Sequence, residues 1–138
     1  MKIPDIEKYR TSSGEYSLPP IPGKTLKLLK KKQKPVVLKQ EIIRKNKTNH
    51  PEISLAEYKE LLFSGLYEPQ EVLQPNFKNK PKYFNFIAYA EKNNVVVVEL
   101  AEEKRRYEIV GFFRINNYKL NKMRKKTNRD GGQSIITG

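Results

Sequence analysis

Between Tyr83 and Ile115 three strand-like runs follow one another with connections too short for anything but hairpins. Tyr83-Phe84-Asn85-Phe86-Ile87-Ala88-Tyr89 is rich in aromatics, and Val95-Val96-Val97-Val98 is a β-branched run long enough for a buried central strand. Arg105 to Ile115 alternates, which sets Tyr107, Ile109, Phe113 and Ile115 on one face and Arg106, Glu108 and Arg114 on the other. The connections Lys92-Asn93-Asn94 and Glu102-Glu103-Lys104 are short. An antiparallel meander over residues 82–90, 94–101 and 105–115 is therefore expected.

Helical signals flank the meander. Lys39 to Lys47 can form a helix presenting Ile42 and Ile43, preceded by a short strand at Val36-Val37-Leu38. A clearer start is Ser54, whose hydroxyl caps a helix while Glu57 reaches back; Leu55, Tyr58, Leu61 and Leu62 then share one face. Gly65 is the expected end of that helix, and Glu68 to Leu73 the start of a second short turn. After the meander a basic amphipathic helix is expected, capped by Asn116 or Asn117, with Tyr118, Leu120 and Met123 inward. The fold class is α+β: N-terminal helices packed on an antiparallel β-meander, followed by a C-terminal basic helix. Ser12-Ser13-Gly14 and Pro19-Pro20-Ile21-Pro22-Gly23 mark residues 1–35 as an extended Pro/Lys-rich arm, and residues 127–138, with Gly131-Gly132, read as a flexible tail. Residues 36–126 form the expected domain.

Composition narrows the chemistry. The chain has no cysteine and one histidine, His50, so disulfides, thiolate chemistry and a zinc site of the usual ligands fall away, and no metal or other cofactor is expected. No run of 18 apolar residues occurs, and the N-terminus lacks a signal peptide's apolar core, so a cytoplasmic protein that avoids membranes is expected. Of the net charge of +13, residues 24–47 hold +9 and residues 116–138 hold +5, while residues 48–115 hold −1. Two basic blocks bracketing a near-neutral centre suit a polyanion, because clustered Lys and Arg displace counterions condensed on phosphates. A pair of solvated faces that only keep the protein soluble is the plain alternative.

The segment Lys45-Asn46-Lys47-Thr48-Asn49-His50-Pro51-Glu52-Ile53-Ser54-Leu55-Ala56-Glu57-Tyr58 resembles the His-Pro-Glu signature of phage-associated nuclease domains of the barnase–EndoU–colicin–RelE superfamily. Tyr67-Glu68-Pro69-Gln70-Glu71-Val72-Leu73-Gln74 resembles their Pro-containing turn, Lys82-Tyr83-Phe84-Asn85-Phe86 their aromatic strand, and Ile109-Val110-Gly111-Phe112-Phe113-Arg114 their late strand. The resemblance covers residues 36–126. It implies metal-independent endoribonuclease chemistry by acid–base catalysis, in the bacterial host cytoplasm or a phage virion, with RNA as partner and an immunity protein or virion components as further partners. Where the superfamily often has Ser or Thr on the late strand, Gly111 stands here, and the second histidine of many members has no counterpart.

Such cleavage needs a base for the 2′-hydroxyl, cations for the phosphorane and an acid for the leaving oxygen. His50 can be base or acid, since an imidazole's unperturbed pKa is roughly 6.5. Arg114 can clamp a phosphate in a bidentate fork, and Lys47 and Arg44, a helical turn apart, can contact phosphate. For nucleic-acid binding the candidates are Lys30, Lys31, Lys32, Lys34, Arg44, Lys122, Arg124, Lys125 and Lys126. Each has a structural alternative: His50 can merely lead into the Ser54 helix, Arg114 can be a solvated sheet residue, and Tyr83, Tyr89 and Tyr107 can pack a core edge rather than stack on bases. Two other readings of the whole chain stand beside the ribonuclease. One is a non-enzymatic basic nucleic-acid-binding or virion-associated phage protein that keeps the fold; the other is a module of a larger polymorphic toxin.

Overall fold

The computed structural model describes residues 6–76 and 83–138. Met1 to Asp5, Lys82 and the side chain of Leu55, on which expectations rested, lie outside the described residues. Among those described, seven strands form one mixed sheet in the order β1-β2-β6-β5-β4-β3-β7. They are β1 (Tyr16–Leu18), β2 (Val36–Leu38), β3 (Glu71–Gln74), β4 (Tyr83–Ala88), β5 (Asn93–Glu99), β6 (Tyr107–Ile115) and β7 (Gln133–Ile136). Four α-helices accompany them: α1 (Gly23–Leu28), α2 (Gln40–Asn49), α3 (Leu55–Tyr67) and α4 (Asn117–Arg129). The α+β class and the antiparallel meander β4–β5–β6 agree with expectation. The sheet goes further: β3 precedes the meander in antiparallel pairing, and β2 lies parallel to β6.

The meander is central because its strands carry the largest apolar side chains. Phe84, Phe86, Val96, Val98 and Phe112 are fully buried against Leu61, Leu62 and Leu66 of α3. Ser54 begins that helix with the expected capping box. Gly65 does not end it. The helix runs to Tyr67, and Gly65 sits where it crosses β5: a Cβ there would lie 2.6 Å from Val96 Cγ2. The signal read as a helix breaker is a close-packing contact. The opposite face of the sheet holds a smaller cluster of Leu73, Ile87, Val95 and Ile115, covered by Leu120 of α4.

Several other expectations are corrected. The supposed arm carries β1 and α1 and buries Tyr16, Leu18, Ile21, Leu26 and Leu29. Its prolines follow an edge strand, where no ladder bond is lost, and the Tyr67 hydroxyl donates to the Pro19 carbonyl at 2.6 Å. The supposed tail supplies β7, which pairs with β3, and Glu71 to Gln74 is that strand rather than a helical turn. On β6 the register passes from Val98↔Ile109 to Val97↔Gly111, leaving Val110 as an extra residue. This bulge reverses the alternation beyond it. Phe112, not Phe113, enters the main core, edge-on to Tyr58 with ring centroids 4.9 Å apart, and Phe113 turns toward the α4 side. Tyr118, expected inward, is 68% exposed.

Candidate nucleic-acid interface

The residues proposed for cleavage sit on both faces of β6. His50 follows the last turn of α2, and its ring stacks on Phe113 with centroids 5.3 Å apart and planes 18° from parallel. Its Nδ1 lies 3.4 Å from a Glu52 carboxylate oxygen. Arg114, the next residue on the strand after Phe113, points to the opposite face. There its Nε donates to Asn94 Oδ1 at 2.9 Å, and its guanidinium is ion-paired with Glu57. Glu57 also completes the α3 capping box, and the Ser54 backbone N–H, the Ser54 hydroxyl and then Arg114 hold its carboxyl below the usual range. Arg114 thus ties α3 to the sheet with its charge already answered. Lys47 and Arg44 are exposed on α2, with Lys47 three residues before His50.

Missed by the sequence reading, Asn46 is buried on the same helix and its Oδ1 accepts the Phe112 backbone N–H at 3.1 Å. The bond secures α2 to the edge of β6 that β2 leaves uncovered. An asparagine between lysines carries no periodic signal for such a role.

The first lysine block divides in the same way. The Lys34 ammonium donates to the carbonyls of Ala101, Glu102 and Lys104 at 2.7–3.0 Å and lies 5.1 Å from the Tyr107 ring centroid. The Lys31 side chain is only 4% exposed and pairs with Glu102 at 3.1 Å. These two lysines brace the β5–β6 connection. Lys30 and Lys32 are exposed. Tyr107 is buried, and its hydroxyl donates to the Lys32 carbonyl at 2.6 Å, so its place is in the core.

The second block lies on α4 and is different in kind. Asn116 caps the helix through the Lys119 N–H at 2.9 Å. From Asn117 to Arg129 the helix has six basic residues and no acidic one. Arg124 turns inward to Glu71, but Lys119, Lys122, Lys125, Lys126 and Arg129 are exposed, and among the described residues no carboxylate pairs with them. Lys119 and Arg129 were not singled out from the sequence, although helical spacing puts them in the same array. Tyr118 stands among these cations with Lys122 Nζ 4.6 Å from its ring centroid.

Lys30 and Lys31 of the first block lie, with Glu102, against β7, the strand that follows α4. A depression of about 230 Å³ is lined by Lys30, Lys31, Gln74 and Gln133, among others. Gly132, which precedes Gln133, donates its N–H to the Thr127 carbonyl of α4 at 2.8 Å. Among the described residues, no helix is long and apolar enough to cross a membrane.

The sequence matches the family described as large polyvalent protein-associated domain 13 over residues 2–127. No curated protein and no solved structure matches it.

Proposed function

We propose that this chain, which belongs to the phage-associated large polyvalent protein-associated domain 13 family, is a single-stranded nucleic-acid-binding module. The observation that carries this reading is the outer face of α4, where five exposed cations, without a carboxylate partner among the described residues, run along the helix from an exposed tyrosine at its start. Cations follow a phosphate backbone, and an exposed ring stacks on an unpaired base, worth about 1–3 kcal/mol per base. Lys30 and Lys32 extend the path beyond the end of α4. Anisotropy titration of a labelled 20-nucleotide RNA tests this reading. With five phosphate contacts on a single strand the log–log salt slope is about −3.5, so raising salt from about 50 to 200 mM weakens binding roughly 100-fold. A chain that binds neither RNA nor single-stranded DNA at the lower salt contradicts the proposal.

One observation favours a second reading, metal-independent RNA cleavage. His50 is partly exposed, stacked on Phe113 and beside Glu52, a carboxylate able to orient its ring. Lys47 is then the nearby phosphate contact. In that reading Arg114 would have to leave Glu57 before it could clamp a phosphate.

A further inference from the structure

At the N-terminal end of α4 an open depression of about 460 Å³ is lined by Tyr89, Asn93, Asn117, Leu120, Asn121 and Arg124, with Ala90 at its margin. We propose that it binds a single unpaired guanine base. The inference rests on the nucleic-acid-binding reading and gives that surface a base-selective end.

The polar lining is oriented toward one kind of edge. Buried Asn93 accepts the Ala90 N–H at 3.3 Å through Oδ1 and donates through Nδ2 to Asn117 Oδ1 at 2.8 Å. Arg124 Nη1 donates to Asn121 Oδ1 at 2.7 Å. Both exposed amides thus hold their oxygens against protein donors, with one lone pair left on each, while their N–H groups have no protein partner among the described residues and are the more available groups. Such a pair suits adjacent acceptors. Guanine presents O6 and N7 side by side, whereas adenine pairs N7 with the donor N6 amine.

The charge and the ring agree with a base rather than a phosphate. Arg124 is matched by the carboxylate of Glu71, which is 1% exposed, so the depression carries little net positive charge. Tyr89 is 45% exposed, its hydroxyl donates to Glu71 Oε1 at 2.7 Å, and the Arg124 guanidinium lies 6.0 Å from its ring centroid. It is a stacking platform fixed before any ligand arrives, and Leu120 supplies an apolar wall. From this corner α4 runs about 20 Å to Arg129, at 1.5 Å per residue over its 13 residues. At roughly 3.4 Å per stacked nucleotide this spans about six nucleotides, so a strand whose guanine sits in the corner can lie along the helix cations.

The test uses the full chain and 12-nucleotide uridine oligoribonucleotides in which one central residue is guanine, 7-deazaguanine or adenine. The guanine oligomer is expected to bind about tenfold more tightly than the adenine one, with 7-deazaguanine between them. Asn121→Asp sets acceptors against acceptors at an exposed position, so the guanine-to-adenine ratio should collapse to about one even as the added charge weakens every oligomer alike. Equal binding of the three oligomers by the wild type, or a ratio untouched by Asn121→Asp, overturns the guanine site while the nucleic-acid reading stands. Failure to bind any oligomer overturns both.

Discussion

Glu71 on β3 and Arg124 on α4 form a fork-on-fork pair, with Arg124 Nε 2.8 Å from one carboxylate oxygen and Nη2 2.6 Å from the other. Ser134 of β7 and Tyr89 beyond β4 donate to the same carboxylate at 2.5 and 2.7 Å. One buried side chain thereby joins the helix, the edge strand and the end of the meander. Burial alone would raise its pKa, but the bonds from Arg124, Ser134 and Tyr89 outweigh burial and hold it below the usual carboxylate range.

A carboxyl with a lowered folded-state pKa contributes stability above its unfolded value, about 4.3, and loses it as pH falls through the folded value. Glu71→Gln should destabilise the protein at pH 7 by roughly 2–4 kcal/mol, since it leaves Arg124 without its counter-charge. Denaturant unfolding from pH 7 down to 2 should also show a shallower acid loss for the variant than for the wild type. Parallel pH profiles would show that the pair contributes no linkage.

Gly65 offers a test of packing against propensity. Alanine favours a helix over glycine by about 1 kcal/mol. Here the added methyl would meet fully buried Val96 at 2.6 Å. Gly65→Ala should cost about 1–3 kcal/mol by overpacking, the opposite sign from an exposed helix position. A stabilised variant would mean that α3 rides higher on the sheet than described.

Arg114 and His50 separate binding from cleavage. Arg114→Ala should lower stability by about 1–3 kcal/mol through loss of the Glu57 and Asn94 contacts, and leave RNA affinity within about twofold. Wild type and His50→Ala should degrade total RNA at equal rates with chelator present. A rate lower by about 10²–10⁴-fold in both His50→Ala and His50→Asn would instead establish His50 as a proton-transfer group.

Features governed by local chemistry were legible in the sequence. The Ser54 capping box, the central strand at Val95 to Val98 and the basic helix after Asn116 each follow from spacing within a few residues. Features decided by partners far along the chain were not. Nothing near Lys34 announces three carbonyls some 70 residues away, and nothing near Arg114 or Arg124 announces Glu57 or Glu71. Charge counting treated all these cations alike, whereas the fold neutralises some and exposes the rest. The bulge at Val110 was hidden for a related reason: apolar residues stand at both parities of β6, so alternation fitted two registers.

The central claim, that the outer face of α4 carries the contact with nucleic acid, is tested most directly by salt-dependent anisotropy titration of Lys122→Gln/Lys125→Gln/Lys126→Gln against a single-stranded 20-mer. All three lysines are exposed, so thermal stability should match the wild type within about 0.5 kcal/mol. At about 0.7 per lost phosphate contact, the log–log salt slope should flatten by about 2 relative to the wild type. A triple variant with wild-type affinity and slope would place the interface elsewhere and contradict the account.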